Sequence, residues 1–235
     1  MTDPTHPDPA RPSARHRDRD SLRSRLRRIP ALAGPLPALD LADVPGEPVE
    51  LFLRWFEEAL EQEVPEPHTL TVATVGPDGR PSSRVVVLDD VVDGGWRFAT
   101  DTRSRKAQDL EARPQVALCF YWQPLGRQVR VEGSARQVAA SASAEDFLSR
   151  SPASRVAALA ARPGEPLAEL DDLAAATRRA TEQIERSPGL VLGTWVVYEV
   201  EPMRVEFWQG SGDRAHRRLV YERDEAGWSS GMRWP

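Results

Sequence analysis

The chain has 235 residues, of which 40% are hydrophobic and 29% charged, and a net charge of −5. This length suits one domain with tails, and the acidic balance excludes sequence-independent nucleic-acid binding, which needs a basic surplus to neutralise phosphates. A single cysteine excludes an intrachain disulfide, the four scattered histidines offer no metal-ligand spacing, and no apolar run approaches the roughly 20 residues of a membrane span.

Residues 1–28 are Pro, Asp, Arg, Ser and His with few apolar side chains, a composition that predicts a disordered tail. The tail lacks the apolar core of a secretory signal, so a cytoplasmic location is expected. Residues 29–46 are a Pro-rich lead-in, and a single folded domain is expected over 47–235. Its first helix starts near Pro48, a residue suited to a first helical turn. Phe52, Trp55, Phe56, Ala59 and Leu60 recur at three- and four-residue spacing and predict the buried face. Glu57, Glu58, Glu61 and Glu63 are expected in water.

A strand over 70–75 and a Gly-Pro-Asp-Gly turn lead into a long β-branched strand over 80–92. Asp93-Gly94-Gly95 then reads as a tight hairpin turn into a strand over 96–100. A polar loop follows, and a helix opens on Ser104-Arg105-Lys106. A helix N-terminus offers unpaired N–H groups and a positive dipole end. With Arg84 on the preceding strand, the added Arg and Lys make a candidate site for an anion of phosphate size. Lys106 is the only lysine in the chain; every other cationic side chain of that kind is arginine. A solvated, capped helix start remains the other reading of the same residues.

Strands over 115–122 and 127–138 form the next antiparallel pair. Gln128, Arg130 and Glu132 alternate with Val129 and Val131, so one face is polar and the other apolar. Cys119, within the run VALCFYW, is expected to be a buried small hydrophobe. A helical insert occupies about 142–187, with helices over 144–150, 153–161 and 171–186. Closing strands are expected over 194–200, 203–209, 218–222 and 228–233. Many short strands with intervening turns indicate a mainly β (α+β) fold, a β-barrel with flanking helices.

Four ordered motifs sharpen this: RVVVL from Arg84, FAT with SRK up to Lys106, RQVRVEG from Arg127, and EFWQG with RAHRR from Glu206 to Arg218. Together they resemble the pyridoxamine 5′-phosphate oxidase family of FMN-binding split β-barrels. The resemblance implies FMN as cofactor and an obligate homodimer with FMN at the subunit interface. It places Arg84, Ser104, Arg105 and Lys106 at the FMN phosphate. Val85, Val86, Val87 and Leu88, with Ala99 and Thr100 opposite, would lie along the flavin, and Gln128 would contact its ring system. Trp208 and Arg218 match contacts donated by the other subunit. The family's Gln-Ser pair is replaced here by Arg162-Pro163-Gly164.

The resemblance also implies a small-molecule substrate and O₂ as the oxidant, with Arg214 and His216 as the catalytic pair beside the reacting carbon. Arg150 and Ser154 match ligands of the substrate phosphate. Two further positions depart: the family's strand lysine is Asp89, and its helix tyrosine is Asp146. Carboxylates in both places oppose a phosphate, and the pattern resembles the phenazine-biosynthesis oxidases of the same family. The expectation is an FMN-dependent oxidase of a small cyclic metabolite that forms H₂O₂. A pyridoxamine/pyridoxine 5′-phosphate oxidase making pyridoxal 5′-phosphate is the alternative, and a non-catalytic flavin-binding protein is the third reading.

Overall fold

The computed structural model describes residues 21–235. Most of the expected tail lies outside these residues. Its last part is not a coil: Leu22–Leu26 forms a one-turn helix, α1, capped by the Ser21 hydroxyl. The lead-in runs beside the C-terminal strands. Leu39 is buried, and the Pro45 carbonyl accepts from the Tyr221 hydroxyl at 2.8 Å.

Helix α2 (Pro48–Glu61) covers the barrel with Leu51, Phe52, Trp55 and Ala59. Phe52 is fully buried among Trp96, Phe120 and Trp122, with ring centroids 4.9–6.0 Å away. The face is turned slightly from expectation: Leu60 is 47% exposed, and Leu51 takes its place. Glu58 is also not a purely solvated residue. It holds the buried Arg127 at 2.7 Å, and that guanidinium lies over the Trp55 ring at 4.3 Å. A buried cation needs such a partner, because burial without one is costly.

The sheet is antiparallel. Strands β1 (Thr69–Val75), β2 (Pro81–Val87), β5 (Gln115–Trp122) and β6 (Arg127–Gln137) run in the order β2-β1-β5-β6. Strand β7 (Trp195–Gln209) continues it through β4 (Gly95–Asp101) to β3 (Asp90–Val92). Strands β8 (Arg217–Asp224) and β9 (Gly227–Met232) extend from the far half of β7. The result is a half-barrel whose inner face holds Val72, Phe98, Leu118, Val129, Val131, Val205 and Phe207. Helix α3 (Arg105–Ala112) follows β4, and helices α4 (Ala140–Ser149), α5 (Pro152–Ala160) and α6 (Leu170–Arg186) form the insert between β6 and β7.

Two strand expectations are corrected. The run over 80–92 is not one strand: β2 pairs with β1, whereas β3 pairs with β4. Leu88 and Asp89 form the corner, their N–H groups donating to His68 and Arg97 carbonyls respectively, each at 2.8 Å. Conversely, the strands expected on either side of Glu201-Pro202 are one strand, β7. A bulge in β7 at Met203, opposite Glu132/Gly133 of β6, lets the ladder continue with Pro202 facing Gly133. A side chain at Gly133 would place its Cβ 2.1 Å from the Glu201 carbonyl oxygen, so only glycine fits there. The hairpin forms as read, with Asp93 (φ 49°) and Gly94 (φ 80°) both left-handed between paired Val92 and Gly95.

Candidate active site

The cation cluster is built by three elements. Ser104 caps α3, its hydroxyl accepting from the Ala107 N–H. The cap places Lys106 in the first turn, where its Nζ donates to Thr100 Oγ1 at 2.9 Å and Ser104 Oγ at 3.4 Å. Arg84, from the inner side of β2, donates to Thr74 Oγ1 at 2.9 Å, Ser82 Oγ at 2.6 Å and the Val72 carbonyl at 3.2 Å. Burial and the neighbouring Arg84 charge lower the Lys106 pKa, and burial followed by Arg105 lowers that of Arg84 despite a raising influence from Asp109. Neither Lys106 nor Arg84 has a carboxylate within ion-pair distance among the described residues; both are held by hydroxyls and carbonyls. Arg105 is more exposed and reaches Asp109 at 3.9 Å.

Asp109 is a residue that motif reading missed. It is 3% exposed and accepts from Thr74 Oγ1 at 2.7 Å and Ser82 Oγ at 3.2 Å, the same hydroxyls that hold Arg84. Its carboxylate therefore orients the hydroxyls under the guanidinium without taking the guanidinium itself. Along β2 the expected flavin residues divide by strand alternation. Val86 and Leu88 pack toward the core, whereas Val85 and Val87 are 67% and 50% exposed on the other face. Thr100 is buried against Lys106, and Ala99, one residue earlier, lies on the opposite face of β4.

A second charged centre sits at the corner between β2 and β3. Asp89 accepts from Arg150 Nη2 at 2.8 Å. Asp146, one helical turn before Arg150 on α4, accepts from Arg150 Nε and Nη2, both at 3.0 Å. Trp195 donates its Nε1–H to Asp146 at 2.6 Å and lies under the Arg150 guanidinium at 4.8 Å. Burial, and then the neighbouring Asp146 carboxylate, push the Asp89 pKa up to about 6. Asp146 is held below the usual carboxylate range: hydrogen bonds from Arg150 and Trp195 outweigh the raising effect of burial, its largest single influence. Ser154 is not drawn into this cluster; its hydroxyl pairs with Ser151 Oγ at 2.9 Å at the start of α5. Trp195 is the second residue not foreseen from the sequence.

The C-terminal residues form a third group. Gln128, Trp208 and Arg218 are cross-strand neighbours on β6, β7 and β8. Arg218 is held by the buried Glu206 at 2.7 Å. The His216 ring packs on Trp208 with centroids 5.0 Å apart, and Arg214 sits in the preceding loop with a left-handed φ of 68°. Arg162 and Gly164 lie in a turn closed by a Glu165 N–H to Arg162 carbonyl bond of 3.2 Å.

This third group is far from the cation cluster within one chain. Thr100, which Lys106 grips, pairs with Val196 near the start of β7, whereas Trp208 is near its end. At roughly 3.3 Å per residue the two ends of such a strand are up to about 40 Å apart. Among the described residues, no group of three or more His, Cys, Asp or Glu could hold a metal ion, and no helix is long and apolar enough to cross a membrane.

The sequence and the fold match those of known proteins. Residues 56–209 match the pyridoxamine 5′-phosphate oxidase family, and residues 195–235 match the pyridoxine 5′-phosphate oxidase C-terminal dimerisation region. A pyridoxine/pyridoxamine 5′-phosphate oxidase of Bordetella pertussis is 43% identical over 185 residues, 78% of this chain and 87% of that protein. One of Myxococcus xanthus is 40% identical over 192 residues, 82% of this chain and 93% of that protein. The crystal structure of PhzG from Burkholderia lata in complex with tetrahydrophenazine-1-carboxylic acid superposes with a TM-score of 0.79 at 32% identity, covering 86% of this chain and 100% of that one. The uncancelled charge of Lys106 and Arg84 at a capped helix start fits the phosphate end of FMN. The chain therefore belongs to the pyridoxamine 5′-phosphate oxidase family and is an FMN-dependent oxidase.

Proposed function

We propose that this oxidase acts as a homodimer on a small cyclic metabolite that carries no phosphate, a substrate of the phenazine-precursor kind. The observation that carries this reading is the use of Arg150 by Asp89 and Asp146 at 2.8–3.0 Å. One guanidinium facing two carboxylates leaves a surplus of negative charge. A dianionic phosphate brought to 4 Å from a carboxylate would meet at least about 4 kcal/mol of repulsion at an effective dielectric near 20. The likeness to PhzG, whose structure holds tetrahydrophenazine-1-carboxylic acid, supports the same class.

When bound, FMN would supply the redox chemistry, a two-electron acceptor for the substrate's hydride equivalent that O₂ reoxidises with H₂O₂ as product. The chain's own residues bind and orient. Arg84, Arg105 and Lys106, around the Ser104 cap, hold the cofactor phosphate, with Thr100 fixing Lys106. The backbone of Val85 to Leu88, the exposed Val85 and Val87 side chains and Ala99 lie along the flavin, and Gln128 contacts its ring system. Trp208 and Arg218 reach the site from the second subunit, in keeping with the length of β7 that separates them from Lys106 in one chain. Arg214 binds a substrate carboxylate or hydroxyl by charge-assisted hydrogen bonds, and His216 holds a proton beside it. Asp89, Asp146 and Arg150 line the part of the pocket that receives the substrate's other end.

The 43% identity to pyridoxine/pyridoxamine 5′-phosphate oxidases favours a second reading, in which the substrate is a pyridoxine 5′-phosphate vitamer. Anaerobic stopped-flow mixing of the FMN-loaded protein separates the two. Bleaching of flavin absorbance by tetrahydrophenazine-1-carboxylic acid, with none by pyridoxine or pyridoxamine 5′-phosphate, is the expected result. Fast bleaching by micromolar pyridoxine 5′-phosphate would sink the first reading. The shared site has its own test. R84A/K106A and H216Q variants, each inactive alone, should recover about a quarter of the sites when mixed and allowed to exchange subunits, because only heterodimers contain one site with the cation pair and His216 all intact.

A further inference from the structure

The loop that carries Arg214 is stapled from within. Asp213 Oδ1 accepts from the Ser211 hydroxyl and from the Ala215 N–H, the latter at 2.9 Å. The Arg214 N–H donates to the Ser211 carbonyl at 3.1 Å. Between these bonds Arg214 adopts its φ of 68°, a conformation that a non-glycine residue keeps only where its surroundings hold it. The Asp213 carboxyl lies below the usual carboxylate range because Ser211 and Ala215 donate to it. The loop's entry is fixed as well: the Gly210 N–H donates to the Gly126 carbonyl at 2.7 Å.

The staple has a consequence for His216. It presents the Ser211 backbone N–H to His216 Nδ1 at 3.1 Å. A backbone N–H can only donate, so Nδ1 in this contact carries no proton. The single ring proton of a neutral imidazole then resides on Nε2. Packing of the ring on Trp208, with centroids 5.0 Å apart, fixes the direction in which that Nε2–H points.

We infer that Ser211 and Asp213 are positioning residues that lock His216 as its Nε2–H tautomer, so that the ring offers substrate a hydrogen-bond donor. This rests on the proposed placement of Arg214 and His216 beside the substrate. It deepens that reading by naming what the substrate presents there. A guanidinium and an Nε2–H are both donors, so they receive an acceptor oxygen: a carboxylate, a carbonyl or a phenolate. A group with only N–H donors would leave both residues facing hydrogen. In its neutral state His216 therefore holds an oxygen in place and does not accept a proton through Nδ1.

The test is long-range ¹H–¹⁵N spectroscopy of the full-length, FMN-loaded protein labelled in histidine, at a pH of about 8 where an unperturbed imidazole is neutral. H216Q identifies the signal among the four histidines. The expected spectrum shows protonated Nε2 and bare Nδ1. D213A should give a tautomer mixture and slow flavin bleaching by tetrahydrophenazine-1-carboxylic acid at least tenfold, with FMN affinity unchanged. D213N keeps an Oδ1 acceptor and should restore both the tautomer and the rate. An Nδ1–H tautomer in the wild type, or a D213A spectrum like that of the wild type, would overturn the inference. The spectra need no substrate, so failure of tetrahydrophenazine-1-carboxylic acid to bleach the flavin while the tautomer is fixed would strike the substrate reading alone.

Discussion

Two clusters in this molecule contain a half-buried cation, and they treat it in opposite ways. Around Lys106 and Arg84 every hydrogen-bond partner among the described residues is a hydroxyl or a carbonyl, and the nearby carboxylate, Asp109, accepts from Thr74 and Ser82. Around Arg150 the partners are two carboxylates and an indole face. The first cluster keeps its positive charge available and is suited to bind an anion. The second has used its charge inside the protein. Arginine content alone would describe both as basic; what distinguishes them is which polar groups the fold supplies to satisfy the guanidinium or ammonium.

The largest expected effect lies in the first cluster. Charge-assisted hydrogen bonds contribute about 1.5–3 kcal/mol each, so R84A and K106A should each weaken FMN binding roughly ten- to a hundredfold. Together they should come close to abolishing it, as measured by quenching of flavin fluorescence. Retention of tight FMN binding by the double variant would remove the contrast between the clusters. The next effect rewrites the second cluster in the image of the first. D89K/D146Y removes both carboxylates from Arg150 and supplies a cation. Its kcat/KM for pyridoxine 5′-phosphate should rise at least tenfold, assayed by oxygen consumption. No gain would mean that the corner between β2 and β3 does not receive the substrate's distal end.

How far these clusters were legible in the sequence follows the same division. Ser104, Arg105 and Lys106 are consecutive, and a cap with cations in the first turn is a local signal. Arg84 was reachable through the family motif. Asp109 was not, because its meaning depends on hydroxyls 35 and 27 residues away, on strands whose pairing no local pattern states. Asp89 and Asp146 were suspect from the residues they replace, but their convergence on one arginine required the corner at Leu88–Asp89. The β-branched run through that corner reads as one strand; the change of partner from β1 to β4 is a tertiary property. Pro202 misled in the other direction. Proline usually interrupts a ladder, yet the bulge at Met203 and the space left by Gly133 opposite Pro202 let β7 continue through it.

Titration sharpens the contrast with smaller effects. Asp89 is raised to about 6, so the folded protein holds that proton more tightly than the unfolded chain. Stability is then lost as pH rises from about 4 through 6, by at most about 3 kcal/mol. D89N removes the titration, so its melting temperature relative to wild type should be more favourable at pH 8 than at pH 5. The reverse order would mean that the 2.8 Å pair with Arg150 outweighs desolvation and the second carboxylate.

The smallest effect concerns Trp195, which serves the cluster twice, through its Nε1–H to Asp146 and through its ring beneath Arg150. W195F removes the first contact and keeps an aromatic face for the second. Asp146 has a depressed pKa, so its bonds stabilise the fold at neutral pH and lose that influence as pH falls through the folded-state value. W195F should therefore cost about 1 kcal/mol near pH 7 and less near pH 3, measured by denaturant unfolding at the two values. An equal loss at both would assign Trp195 to packing against Phe147, 5.7 Å away, and leave Arg150 as the group that holds Asp146 ionised.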